Sequence, residues 1–229
     1  MKHIGIVACS AEGAALCYRT ICVEGESICG THRHPEISMH TYSLGEYMEP
    51  IYKNDWKGVA ELMLSSAKKV ADAGAEFLIC PDNTLHEAFD YFEDRSPLPW
   101  LHIAEVVARS AAGQNCKRLG ILGTKYLMEG PVYRTRLETV SITPTIPGEA
   151  ERNQINRIIF EELVKSKFLP ESRRYFSSVI QELKKQGCDG VVLGCTEIPL
   201  LISQAESDLP VFDSTRLLAR AALKKATEE

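Results

Sequence analysis

The chain has 229 residues and no run of about 18 apolar ones, so no membrane-spanning helix is expected. The opening Met-Lys-His-Ile-Gly-Ile-Val lacks the apolar stretch and small-residue cleavage site of a signal peptide. A cytoplasmic location is therefore expected. Basic side chains are too few to favour nucleic acid: 26 Lys and Arg stand against 31 Asp and Glu, for a net charge of −5. The eight cysteines include no Cys-x-x-Cys pair, and a chain of this size does not need disulfide staples. Reduced thiols, mostly buried as small hydrophobes, are the expectation. Cys29, His32 and His34, with Cys22 nearby, form one group of soft ligands, but their spacing fits no common finger pattern. No metal is expected there.

Short apolar runs alternate with amphipathic stretches, the pattern of strands joined by helices on parallel sheets. In the first half, strands are predicted at Ile4–Ala8, Ile37–Tyr42 and Glu76–Cys80. Helices are predicted at Gly13–Cys22 and Trp56–Ala73, with a loop over Glu24–His34. In the second half, strands are expected at Arg118–Leu122, Cys188–Gly194 and Pro210–Asp213. Helices are expected at Ile155–Lys165, Arg174–Gln186 and Thr215–Ala226.

The two halves echo each other. In each, an amphipathic helix stops at glycine (Gly74, Gly187), a buried strand follows, and the strand ends in a short polar motif. These motifs are Pro81-Asp-Asn-Thr-Leu-His86 and Gly194-Cys-Thr-Glu-Ile-Pro199. The expected fold is α/β, with two pseudosymmetric lobes, each a mainly parallel sheet flanked by helices. One lobe takes residues 1–105 plus 214–229 and the other 106–213. Ligands bind beyond the carboxyl ends of such strands, so both motifs are expected to line one cleft.

Those strand ends carry chemistry. Asp82 brings a carboxylate, Asn83 an amide and Thr84 a hydroxyl, while Cys195, Thr196 and Glu197 stand at the matching point. Proton abstraction beside a carboxylate needs a base on one face and N–H or O–H donors around the developing charge. Inversion needs a proton donor on the other face. Singly, Asp82 reads as a helix cap and Cys195 as a core residue. Their matching positions argue for function instead.

The ending Gly194-Cys-Thr-Glu-Ile-Pro-Leu-Leu201 resembles the C-terminal motif of the aspartate/glutamate racemase superfamily. Pro81-Asp-Asn-Thr-Leu-His86 resembles its N-terminal counterpart, usually written with Cys before Asn-Thr. Gly123-Thr124 and Gly130-Pro-Val-Tyr133 resemble its middle motif. The resemblance implies two lobes, no cofactor, a two-thiol mechanism and a homodimer. It makes Cys195 one acid/base residue and assigns Asn83, Thr84, Thr124 and Thr196 to the substrate's carboxylate and amine. His86 and Glu197 would stand behind them. Two departures appear: Asp82 replaces the first cysteine, and the glycine-rich stretch after the first strand reads Ala8-Cys-Ser-Ala-Glu-Gly13, where Ser10 could offer a hydroxyl. Cys80, inside an apolar run, is expected in the core.

Free Asp and Cys differ by about 4.6 pK units, or ~6 kcal/mol, so the resting pair is an ionised Asp82 and a Cys195 thiol. Returning from the opposite state requires tuning by the site. The expected function is therefore a cofactor-independent racemase or epimerase of a small amino acid, aspartate or glutamate foremost. One alternative is a decarboxylase or isomerase that protonates an enolate-like intermediate through Cys195. A second is a non-catalytic small-carboxylate-binding protein. Lys165, Lys167, Arg134 and Arg136 are the cations considered for a distal carboxylate.

Overall fold

A computed structural model describes residues 1–228. The chain divides into two units, one comprising Met1–Ile103 with the returning segment from Thr215, the other Ala104–Ser214. Each is built on a four-stranded, wholly parallel sheet flanked by helices.

In the first unit β1 (Ile4–Ala8) leads to α1 (Ala11–Cys29), β2 (Ile37–Thr41), α2 (Leu44–Tyr52), α3 (Trp56–Asp72), β3 (Phe77–Ile79) and β4 (Trp100–Leu101). The strand order is β2-β1-β3-β4, with β1 and β3 inside. That position explains why all five residues of β1 and all three of β3 are buried. Helix α3 begins where Asp55 accepts the Gly58 N–H at 2.9 Å. It buries Val59, Ala60, Met63, Leu64, Ala67 and Val70, the spacing of a helix with one apolar face. Ala67 and Val70 pack against Val7 and Leu78 of the sheet.

Helix α4 (Ile103–Gly113) leads into the second unit, followed by β5 (Arg118–Leu122), α5 (Lys125–Glu129), α6 (Val132–Glu138), β6 (Thr143–Thr145), α7 (Glu149–Glu161), α8 (Pro170–Lys185), β7 (Gly190–Leu193), α9 (Ile198–Leu201) and β8 (Val211–Asp213). Its order, β6-β5-β7-β8, is that of the first sheet. Helix α8 starts with proline at its first position and buries Phe176, Val179, Ile180 and Leu183 in the core of this unit. The last helix, α10 (Ser214–Thr227), returns to the first unit, where the Lys2 N–H donates to the Ala226 carbonyl at 2.8 Å.

The polar stretch expected as a loop from Glu24 is helical through Cys29. Two contacts hold this end. Arg220 of α10 grips the Glu24 carboxylate with bonds of 2.7 and 2.8 Å, which holds that carboxyl below its ordinary range. Gly25 lies so close to the chain returning through His34 that a Cβ there would sit 2.9 Å from the His34 Cβ. Among the described residues no three His, Cys, Asp or Glu side chains gather as a metal site, and His34 Nδ1 lies 2.8 Å from the Pro35 carbonyl oxygen. No helix among them is long and apolar enough to cross a membrane.

Candidate active site

The parallel register places the polar motifs. In the first unit Ile6 of β1 is opposite Ile79 of β3, so three residues further along each chain Cys9 comes beside Asp82. The backbone N–H groups of Cys9 and Ser10 both donate to Asp82 Oδ2, at 3.1 and 3.4 Å. Ser10 is also the N-cap of α1, so the carboxylate sits at the positive end of a 19-residue helix. Asp82 itself precedes a 3-10 segment, Asn83–Tyr91.

Behind it the loop is fixed from the core side. His86 lies within that 3-10 segment. Its Nε2 is 3.0 Å from the Cys80 carbonyl, and its ring meets His102 edge-on at 4.5 Å between centroids. The Asn83 amide reaches the Pro81 carbonyl at 3.5 Å, and Thr84 is partly exposed. Cys80 is fully buried, and burial pushes its thiol well up, away from the thiolate.

The second unit repeats this register. Leu122 of β5 pairs with Leu193 of β7, which brings Gly123 beside Gly194 and Thr124 beside Cys195. The two glycines touch back to back. A Cβ on Gly194 would lie 2.9 Å from the Leu122 carbonyl oxygen, and one on Gly123 3.2 Å from that of Gly194. Tyr133, from the Gly130-Pro-Val-Tyr133 motif, is buried beneath Gly194, where burial raises its phenol. Thr124 caps α5 by accepting the Leu127 N–H at 3.3 Å.

The Cys195 thiol donates to Glu197 Oε2 at 2.9 Å, and the Thr196 hydroxyl donates to the same oxygen at 2.8 Å. All three residues are buried. Glu197 is therefore a direct hydrogen-bond partner of the thiol. A carboxylate so close makes a thiolate costly, because two negative charges would face each other.

The structure thus groups Ser10, Asp82, Asn83, Thr84 and His86 at the strand ends of the first unit. It groups Thr124, Cys195, Thr196 and Glu197 at those of the second. Sequence reasoning missed the contribution of Cys9, which acts through its backbone N–H and leaves no residue-type signature.

Residues 26–222 match the family model described as Asp/Glu/Hydantoin racemase. The chain belongs to that family. A crystal structure from Yersinia pestis carrying a provisional Asp/Glu racemase assignment is 34% identical, with a TM-score of 0.89 and all of both chains covered. An aspartate racemase homologue from Pyrococcus horikoshii is 28% identical, with a TM-score of 0.86 and again full coverage of both. A broad-specificity amino-acid racemase of Bacillus subtilis is 20% identical over 169 residues, 74% of this chain and 73% of its own. The two four-stranded parallel sheets described above are the two-lobe α/β fold of these racemases.

Proposed function

We propose that this member of the Asp/Glu/hydantoin racemase family is a cofactor-independent amino-acid racemase that exchanges the α-proton of a small substrate through Asp82 and Cys195. The observation that carries the reading is the pairing of a donor-clasped carboxylate and a buried thiol at register-equivalent places of two sheets with the same strand order.

Asp82 is the base. Two N–H groups and the start of α1 suit it to carry negative charge at rest. It removes the α-proton, and the Cys195 thiol supplies the replacement. The Glu197 carboxylate at 2.9 Å from Sγ keeps that thiol protonated and aligned until it is needed. After proton delivery the thiolate beside Glu197 is strained by like charge, which favours its prompt reprotonation. Asn83, Thr84, Thr124 and Thr196 supply donors and acceptors for the substrate's carboxylate and amine.

Turnover in the reverse direction starts from a protonated Asp82 and a Cys195 thiolate, the state disfavoured by about 6 kcal/mol for the free groups. This asymmetry concerns the α-proton and selects no side chain, so aspartate and glutamate lead by family. The test is α-proton exchange followed by NMR in deuterated buffer, with both enantiomers of a panel of amino acids. Exchange with inversion supports the racemase. Exchange with retention points to Asp82 as the one competent base. No exchange with any of the panel sinks the reading in favour of a decarboxylase, an isomerase of a non-amino acid, or a binding protein.

A further inference from the structure

Just past the end of β2, whose Thr41 pairs with Ala8 of β1, two nearby tyrosines, Tyr42 before helix α2 and Tyr47 within it, have opposite fortunes. Tyr42, on the approach to the helix, is fully engaged: its hydroxyl accepts from Lys69 Nζ at 2.8 Å and lies 2.8 Å from the Ser65 hydroxyl. Tyr47, whose ring is 6.5 Å away between centroids, is 0% exposed, and its hydroxyl has no hydrogen-bond partner among the described residues.

A buried hydroxyl with nothing to bond is rare and costs stability. The register places it: Thr41 ends β2 opposite Ala8, so α2 starts at the end of the sheet where Cys9 and Ser10 hold Asp82. Burial raises the Tyr47 phenol most, and the groups whose negative charge would raise it further are Cys80, Cys9 and Asp82, followed by Tyr42. These are the strand-end residues that form and support the Asp82 clasp. The phenol therefore keeps its proton, and at the same end of the sheet as the Asp82 carboxylate it is a buried donor without an acceptor among the described residues. Asp82 Oδ2 is already met by two N–H groups.

We propose that the Tyr47 hydroxyl is a ligand-binding donor of the Asp82 half of the site, hydrogen-bonding an oxygen of the small carboxylate ligand and setting its orientation against Asp82. The inference rests on the function proposed above and adds to it a binding residue outside both polar motifs. Because the hydroxyl is buried and has no partner among the described residues, a ligand oxygen supplies the acceptor it lacks. Its service is to orientation and affinity rather than to proton transfer.

The test is calorimetric titration of wild type and Tyr47→Phe with the enantiomers of aspartate and glutamate and with malonate, alongside their melting temperatures without ligand. The expected result is at least ten-fold weaker binding by Tyr47→Phe, with an unchanged or higher melting temperature, because the orphan hydroxyl is gone. In turnover the loss should fall mainly on KM. Equal affinity of the two proteins for an acid that wild type binds overturns this inference alone, whatever happens to stability. If wild type binds none of these acids and exchanges no α-proton, the parent reading falls and takes this one with it. Should Tyr47→Phe fail to fold, ring-carbon-labelled tyrosine in the wild-type protein decides: the buried Tyr47 Cζ resonance must shift on ligand addition, and its failure to move overturns the inference.

Discussion

The two units solve one geometric problem with different chemistry. Both sheets have the same strand order, and both set the residue three or two places beyond paired leucine or isoleucine positions at the strand ends. Asp82 and Cys195 are equivalent in that frame, as are Cys9 and Thr124. Yet hydrogen bonds run in opposite senses. Asp82 accepts hydrogen bonds from backbone N–H groups at the start of a 19-residue helix. Cys195 donates a hydrogen bond to a carboxylate two residues away. A shared strand order thus positions both groups, while their immediate partners differ, and in the proposed mechanism that difference sets which side rests as base and which as acid.

The largest test of this contrast removes the acid. Cys195→Ala should lower α-proton exchange by at least about a thousand-fold, within the range for losing a general acid, while the protein stays folded by circular dichroism. Exchange at the wild-type rate would remove Cys195 from the mechanism. Asp82→Asn should lower exchange by about 10²–10³-fold. Asp82→Cys is the sharper variant, since it makes the two units alike: the acidic limb of the pH–rate profile should move from the carboxylate range to the thiol range, read from kcat/KM between pH 4 and 10. A profile that stays put means Asp82 is not the titrating base.

Glu197→Gln probes the other partner. Removing the charge beside Sγ should raise alkylation of Cys195 by iodoacetamide several-fold at pH 7, measured on the Cys195 peptide by mass spectrometry. A slower reaction would mean that Glu197 promotes the thiolate. The smallest effect is on stability. Burial lifts the Glu87 carboxyl, in the segment after Asp82, from an ordinary value of 4.5 to about 7. The folded state thus holds this proton more tightly than the unfolded chain. Stability is undiminished below about 4.5 and declines as pH rises through about 7. Glu87→Gln should therefore stabilise the protein at pH 8 by about 1–2 kcal/mol, after allowing for partial solvent screening, and make little difference at pH 4. Thermal melts at the two pH values check it.

The buried strands were plain in the sequence because apolar runs bounded by glycine and polar motifs have few other readings. Strands β1 and β5 begin and end where the pattern puts them. Short elements were not. Strand β4 has two residues and β6 has three including Pro144, too few to show an alternation, and α2 carries Pro50 inside it, which ordinarily argues against a helix. The end of α1 was hidden because its partners, Arg220 and His34, are remote in the chain or act by proximity to a glycine. Among the site residues, Asp82 and Cys195 stood out by residue type and matching context. Tyr47 did not, since an aromatic on an amphipathic helix ordinarily reads as core, and only its unmet hydroxyl separates it from that role.

Both bonds to Asp82 described above come from main-chain N–H groups. Every amino acid except proline carries that donor, so these two bonds can form whichever other side chains occupy positions 9 and 10. The stretch Ala8-Cys-Ser-Ala-Glu-Gly13 can drift from a glycine-rich pattern and keep the same grip on the carboxylate. Its constraint is written in the path of the backbone, where an alignment of letters has nothing to register, and a proline at either position removes one of the two donors.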